Sequence, residues 1–228
     1  MAATDATFDL TIIGSGPGGY VAAIRAAQLG LKTACVEMAP LPGGTCLHWG
    51  CIPTKALLHA AEVLESSRHA GAFGVRVEPG TLDMAGLHKY KDKVVLSNAK
   101  GVEFLFKKNG VTLVPGRGSL LAPNEVRVEQ SGGGTKTLES KFVLVATGST
   151  IRALPGVAFD GRQVINSDHA LGLPKVPASM IVRCRALLIV GCGRRSTPFG
   201  MTAAMYCCPS ICATVNQTVI SPGFFGTV

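Results

Sequence analysis

The first 37 residues alternate between short apolar runs and stretches rich in glycine and alanine. The apolar run over 8–13 predicts a strand, and the small-residue stretch 20–29 predicts a helix that packs closely on a sheet. Gly30 is positioned to cap that helix, and a second strand is predicted over 32–36. The order strand, helix, strand predicts a β-α-β unit of a parallel sheet.

The rest of the pattern predicts two longer helices, a group of short strands and one later strand. Apolar periodicity predicts helices over 54–70 and 83–108. Short runs bounded by turn residues predict strands, over 111–114, 118–121, 125–129, 135–138, 142–145 and 187–190. We therefore expect an α/β fold: a Rossmann-like domain with a β-meander insert, followed by an incomplete second dinucleotide-binding domain.

Composition and charge narrow the class of protein. The 228 residues carry a formal net charge of +8, but no basic stripe interleaved with aromatic residues is present, so nucleic-acid binding is not expected. The N-terminus lacks the basic region and apolar core of a secretory signal, and no apolar run is long enough for a membrane span. We expect a cytoplasmic protein without membrane association, in which a close cysteine pair is catalytic or metal-binding.

A glycine motif joins the first predicted strand to the first predicted helix. Gly14, Gly16 and Gly19 have the spacing G-x-G-x-x-G, and Glu37 follows the last of them by 18 residues. In this context the motif is the fingerprint of a dinucleotide site, in which backbone N–H groups at a helix N-terminus bind a pyrophosphate. Glu37 is expected to accept hydrogen bonds from ribose hydroxyls.

Two cysteines, Cys46 and Cys51, flank a short segment before the third predicted helix. Gly43 and Gly44 precede them, so a ligand can approach the backbone there. A helix N-terminus is expected to lower the pKa of such thiols, and the pair can cycle between dithiol and disulfide. Because that cycle moves two electrons, the expected dinucleotide is FAD, and the Lys55 ammonium is expected near its ring.

The other cysteines are given no redox or metal role. Cys35 lies in an apolar strand pattern and is predicted to be buried. Cys207, Cys208 and Cys212 lack the paired C-x₂-C spacing and the nearby histidine of a zinc site, so no metal is expected.

Three motifs together resemble the pyridine nucleotide-disulfide oxidoreductases, and within them the dihydrolipoamide dehydrogenases most closely. The motifs are the glycine motif at 14–19, the cysteine segment from Gly43 to Leu58, and Ala146-Thr147-Gly148-Ser149. The resemblance extends from Phe8 to Val182. It implies an enzyme that oxidises dihydrolipoamide to lipoamide with NAD⁺, through a Cys46–Cys51 redox disulfide and FAD.

The resemblance also implies roles for individual residues. Cys51 would be the thiol nearest the flavin and Cys46 the thiol that exchanges with the substrate. His48 and Trp49, between the two cysteines, are predicted to be packing or loop residues. The implied FAD contacts are Gly14, Gly16, Gly19, Glu37, Gly43, Gly44, Thr45, Cys46, Lys55, Gly118, Thr147, Gly148 and Ser149.

The resemblance implies two domains, an FAD-binding domain over 1–154 and a truncated NAD-binding domain over 155–228. Gly191 and Gly193 would form a possible NAD loop, although Ser196 stands where a third glycine is usual. The implied partners are dihydrolipoamide carried by a 2-oxo acid dehydrogenase complex and a second subunit in a homodimer. Two alternatives stay open: a non-catalytic FAD-binding fragment, and a reductase of the glutathione or mercuric type.

Overall fold

The computed structural model describes residues 6–78, 80–153, 155–184 and 217–220. The chain forms two compact units, Met1–Gly148 and Ser149–Val228. The domain boundary at 154/155 stays a prediction. The glycine and cysteine motifs both lie in the first unit.

The described residues of the first unit form six strands and four helices. Its strands are β1 Ala6–Ile13, β2 Thr33–Glu37, β3 Thr112–Pro115, β4 Arg117–Ala122, β5 Glu125–Glu129 and β6 Thr135–Val145. Its helices are α1 Pro17–Gln28, α2 Gly44–His48, α3 Cys51–His69 and α4 Met84–Asn109. A 3₁₀ turn, Ala70–Phe73, follows α3. The short helix α2, which carries Cys46, has no counterpart in the predicted elements.

The six strands form one mixed sheet in the order β3-β2-β1-β6-β5-β4. The pairs β3-β2, β2-β1 and β1-β6 are parallel, whereas β6-β5 and β5-β4 are antiparallel. The predicted α/β fold with a β-meander insert is therefore confirmed, since β4, β5 and β6 form the meander.

Strand β6 is continuous, so the prediction of two separate strands over 135–138 and 142–145 was wrong. Polar residues between them broke the apolar pattern, yet each has a partner on β1. The side chains of Ser140 and Thr11 are hydrogen-bonded at 2.5 Å in the sheet interior. Lys141 forms an ion pair of 2.7 Å with Asp9. Cross-strand partners on β1 thus keep this polar segment in the strand.

The second half of β6 has an open edge. Residues 135–139 pair with β5, while residues 138–145 pair with β1 on the other side. Among the described strands, none pairs with the outer edge of 141–145. Phe142 on this segment is 70% exposed. This part of the sheet is thus both unpaired on one side and apolar.

Two apolar cores form on the two faces of the sheet, because consecutive residues of β1 and β2 point to opposite faces. One core is formed by the meander and the sheet, with Ile13, Val36, Val126 and Val128. The other lies under the helices and includes Ile12, Cys35, Leu47, Val102 and Phe106. Leu47 lies one residue after Cys46, so the second core anchors the cysteine segment. Cys35 is fully buried, as predicted.

Helices α1 and α3 begin three residues earlier than predicted. The prediction started the first helix at Tyr20, but Pro17 occupies its first turn, where a missing N–H costs nothing. The later helix starts at Cys51 rather than Thr54 for the same reason, since Pro53 lies within its first turn. Cys51 is therefore itself a helical residue.

The described part of the second unit is a small antiparallel sheet with one short helix. Strands β7 Val164–Asn166, β8 Ile181–Cys184 and β9 Gln217–Ile220 have the order β7-β9-β8, and α5 spans Ser167–Ala170. The predicted strand over 187–190, the possible NAD loop at Gly191 and Gly193, and the cysteines at 207, 208 and 212 lie outside the described residues. No helix in the described ranges is long and apolar enough to cross a membrane.

Substituting two phenylalanines on α4 tests whether packing in the core under the helices stabilises the first unit. Phe106 is 2% exposed in that core, whereas Phe104 is 63% exposed. We expect Phe106→Ala to lower the free energy of unfolding by about 3–5 kcal/mol, because it leaves a cavity. Phe104→Ala should change it by less than about 0.5 kcal/mol. Urea denaturation measures both, and equal midpoints for the two variants would contradict this account.

Candidate active site

The glycine motif forms a tight loop between β1 and α1. Gly14 has φ +98°, and a Cβ atom there would lie 2.4 Å from the Ala146 carbonyl oxygen. A Cβ at Gly19 would lie 1.8 Å from the Gly14 carbonyl oxygen. Both positions therefore exclude every side chain. At Gly14 the reasons are the backbone conformation and the contact, and at Gly19 the reason is the contact alone.

A second pair of glycines meets this loop from the cysteine segment. Gly43 and Gly44 have φ +132° and +60°, and a Cβ at Gly44 would lie 2.5 Å from the Cα of Gly16. We call the two segments 14–19 and 43–44 the glycine cradle. Gly16 is the N-cap of α1, and no side chain caps the helix. The meeting point of Gly16 and Gly44 thus exposes backbone N–H groups at an uncapped helix N-terminus. Such a site suits a pyrophosphate.

A buried hydrogen-bond network connects the cradle to the end of β2. The Glu37 side chain is only 8% exposed, and its Oε2 accepts from the backbone N–H of Ser15 at 2.9 Å and from its hydroxyl at 2.5 Å. Glu37 Oε1 accepts from the N–H of Ala39 at 2.8 Å. The Gly43 N–H in turn donates to the Ser15 carbonyl at 3.0 Å. The expected contact of Glu37 with ribose hydroxyls stays a prediction, and its structural role here is to fix Ser15.

The two cysteines come from consecutive helices. Cys46 lies on the single turn α2, and Cys51 is the first residue of α3. Between them Gly50 approaches α2 closely: a Cβ there would lie 3.0 Å from the Thr45 carbonyl oxygen and 3.4 Å from the Cα of Cys46. Gly50 was missed at the level of sequence, although a glycine directly before a helical cysteine was the available signal.

The Cys46 and Cys51 thiols are both free, and each lies within electrostatic reach of the other. Burial, the hydrogen bond with Cys51 and the charge of Cys51 raise the pKa of Cys46 to about 11, while Lys55 acts in the opposite direction. The expected lowering of the thiol pKa is therefore wrong for Cys46. The physical reason is that Cys46 lies on α2 in a half-buried position, where desolvation penalises the thiolate.

Tyr20 on α1 also belongs to this site. Its pKa is raised by burial and then by the charges of Cys46 and Cys51, so its hydroxyl lies within electrostatic reach of both thiols. Tyr20 and Cys46 pack against the same core under the helices. Sequence pattern alone predicts no role for Tyr20, because a tyrosine in the first turn of a helix carries no distinctive signal.

The remaining predicted residues lie in different settings. Thr45 and Lys55 are exposed, and Thr147 and Gly148 follow β6 as exposed residues. Gly118 on β4 packs closely against Ile13 and Val36, where a Cβ would lie 2.9 Å from Ile13 Cγ2. Ser149 belongs to the second unit. The structure thus brings the cradle, Glu37 and the cysteine pair together in one place.

The described residues hold no group of three or more His, Cys, Asp or Glu side chains arranged to bind a metal ion. The chemistry that the site itself offers is thiol–disulfide exchange at Cys46 and Cys51, beside a backbone cradle suited to a dinucleotide.

Comparison with known families supports this description. The family model described as pyridine nucleotide-disulphide oxidoreductase matches residues 8–220. In the solved structures, the chain is similar to the HOCl-induced flavoprotein disulfide reductase RclA of Escherichia coli, in its Cu(II) complex. The TM-score is 0.63 at 22% identity, over 76% of this chain and 36% of that one. At this identity the likeness shows the fold.

Curated relatives are more similar in sequence. Dihydrolipoyl dehydrogenase 1 of Arabidopsis thaliana mitochondria is 47% identical over 76% of this chain and 34% of the relative. Dihydrolipoyl dehydrogenase of Chlorobaculum tepidum is 48% identical over 78% and 38%. Leghemoglobin reductase of Vigna unguiculata is 45% identical over 76% and 34%. The chain therefore spans little more than a third of the length of these relatives.

Adjacent glycines on α1 test the cradle. Gly19→Ala should destabilise the protein by about 1–3 kcal/mol or more, because its Cβ collides with the Gly14 carbonyl oxygen. Gly18→Ala meets nothing within 4 Å, and alanine favours the helix, so a gain of about 0.5–1 kcal/mol is expected. Thermal and urea unfolding distinguish the two, and a well-tolerated Gly19→Ala would contradict the packing described here.

The pH dependence of alkylation tests the environment of Cys46. Because the thiolate is the reactive form, the rate of iodoacetamide modification should rise with pH and level off above about 11. In Cys51→Ser the charge of Cys51 and its thiol hydrogen bond are lost, so the inflection should move to lower pH. Mass spectrometry locates the label at residue 46. An inflection below the ordinary value of 9.0 in the parent protein would contradict the burial effect.

Proposed function

The chain belongs to the pyridine nucleotide-disulphide oxidoreductase family, and on that premise we propose that it supplies the flavin-binding and redox-disulfide portion of a dihydrolipoamide dehydrogenase. The observation that carries the proposal is the geometry of the cysteine segment: Cys46 and Cys51 lie on consecutive helices that Gly50 brings together, and Gly44 places this segment against the glycine cradle. The proposed reaction is the oxidation of dihydrolipoamide to lipoamide, with NAD⁺ as the final electron acceptor.

The cradle fits the pyrophosphate of FAD, because side chains are excluded from the meeting point of Gly16 and Gly44 and the α1 N-terminus is uncapped. The residues proposed to hold FAD are Gly14, Gly16, Gly19, Glu37, Gly43, Gly44, Thr45, Cys46, Lys55, Gly118, Thr147, Gly148 and Ser149. When bound, FAD supplies a two-electron acceptor for the dithiol.

The cysteine pair performs the exchange with the substrate. One thiolate of dihydrolipoamide attacks Cys46 Sγ, the Cys46–Cys51 bond breaks, and Cys51 leaves as a thiolate. The second substrate thiolate then attacks the substrate sulfur of the mixed disulfide, which releases lipoamide and Cys46. Two electrons pass from substrate to protein, and the two protons lost when the substrate thiols ionise enter the solvent. The charge of Lys55 favours the thiolate at Cys46 during this release.

The partners that we propose for this reaction are those that the family resemblance implies. Dihydrolipoamide would be presented by a 2-oxo acid dehydrogenase complex, and the active assembly would be a homodimer, in the cytoplasm. The matched region covers 34–38% of the length of these relatives.

Anaerobic reduction of the FAD-loaded chain by dihydrolipoamide tests the proposal. We expect the chain to bind FAD and its visible flavin absorbance to fall when dihydrolipoamide is added. Cys46→Ser and Cys51→Ser should still bind FAD but lose this reduction at least about tenfold, because either change removes the disulfide. Cys35→Ser is the matched control and should leave reduction unchanged, because it makes the same change at a buried cysteine outside the pair and keeps a donor for the Gly14 carbonyl oxygen.

The two alternatives give different results in the same experiment. A chain that binds no FAD, or binds it without any reduction, would show a non-catalytic fragment. Faster reduction by reduced glutathione than by dihydrolipoamide would show a reductase of the glutathione type.

A further inference from the structure

His48 lies between the two cysteines and makes two contacts that no role so far explains. Its ring Nε2 is 3.1 Å from the Leu41 carbonyl oxygen and 3.1 Å from the Pro42 carbonyl oxygen. Carbonyl oxygens only accept hydrogen bonds, so Nε2 carries the hydrogen and donates to both. The ring therefore bridges back to the segment that enters the glycine cradle.

The segment that His48 reaches is itself firmly held. The side chain of Pro42 is fully buried, and the N–H of the next residue, Gly43, donates to Ser15. Ser15 is bonded to the buried Glu37 carboxylate. One end of the His48 bridge is therefore fixed to the network at the end of β2.

The other end of the bridge lies on α2, which the buried side chain of Leu47 anchors from one side. Helix α2 is one turn of five residues, has no side-chain cap, and is too short to be stable alone. Cys46 is the third residue of this turn, two residues before His48. The His48 ring also stacks on Trp49, with ring centroids 5.3 Å apart and tilted by 51°. The orientation of the turn, and with it the Cys46 thiol, depends on such contacts.

We propose that His48 is a positioning residue for the redox pair: its ring N–H, shared by the Leu41 and Pro42 carbonyl oxygens, holds α2 so that Cys46 meets Cys51. The inference rests on the proposed function, because it requires these cysteines to form a reversible disulfide. Loss of the donor frees the turn and lowers the effective concentration of one thiol at the other. One hydrogen bond of ordinary strength corresponds to about a three- to tenfold change.

Two variants separate the hydrogen bond from the bulk of the ring. His48→Phe keeps a ring that can pack on Trp49 but has no N–H. His48→Gln places an amide N–H the same number of bonds from the backbone. His59→Phe is the control, because His59 is an exposed histidine on α3 whose Nδ1 lies 3.8 Å from Glu62, in the same helix.

The experiment is a redox titration of each purified protein in glutathione buffers, with the Cys46–Cys51 disulfide quantified by mass spectrometry after alkylation. We expect His48→Phe to need an about three- to tenfold higher ratio of oxidised to reduced glutathione for half-oxidation. His48→Gln and His59→Phe should titrate close to the parent protein. Melting curves of the reduced proteins report whether each variant is folded.

The outcomes distinguish the inference from the function on which it rests. If the parent protein forms no disulfide in any buffer, the proposed function fails and the inference fails with it. If the disulfide forms and His48→Phe titrates like the parent, only the inference is overturned. The same holds if His48→Gln shifts as far as His48→Phe, because the N–H would then not be the operative group.

Discussion

The structure depends on the close approach of two backbone segments at Gly16 and Gly44. A Cβ atom at Gly44 would lie 2.5 Å from the Gly16 Cα, so the two loops touch without side chains between them. The Gly43 N–H bond to Ser15 holds this contact, and the Glu37 carboxylate holds Ser15. One constraint thus joins the dinucleotide cradle to the cysteine segment and fixes how far the thiols lie from a bound ligand.

The same arrangement explains why the two cysteines are not equivalent. Cys46 belongs to a short turn packed on the core under the helices, and its pKa of about 11 keeps it a neutral thiol at neutral pH. Cys51 is the first residue of the long helix α3. Position in the fold, rather than the spacing of the cysteines, therefore distinguishes the two members of the pair.

Much of the fold could be predicted from local pattern. The strands β1 and β2 of the β-α-β unit are apolar because both faces of the sheet are covered, and Gly14 and Gly19 stand where no other residue fits. The continuous strand β6 could not be predicted, because Ser140 and Lys141 interrupt its apolar pattern. Their partners on β1, which keep them in the strand, are far away in sequence. The helix α2 was also missed, because tertiary contacts rather than propensity stabilise a single turn. The site itself was predicted as a set of residues, but the role of Gly50 depends on its close approach to Thr45, and a glycine directly before Cys51 does not specify that distance.

The unpaired outer edge of β6 bears on how the molecule behaves in solution. Over 141–145, in the part of the chain that the structure describes, peptide groups without a strand partner on that side stand beside the exposed ring of Phe142. An open strand edge of this kind is a template on which an extended chain, including another copy of the same molecule, can pair. Pairing between folded copies would make the measured resistance to unfolding a function of protein concentration. Unfolding of this chain is therefore best measured over a dilution series.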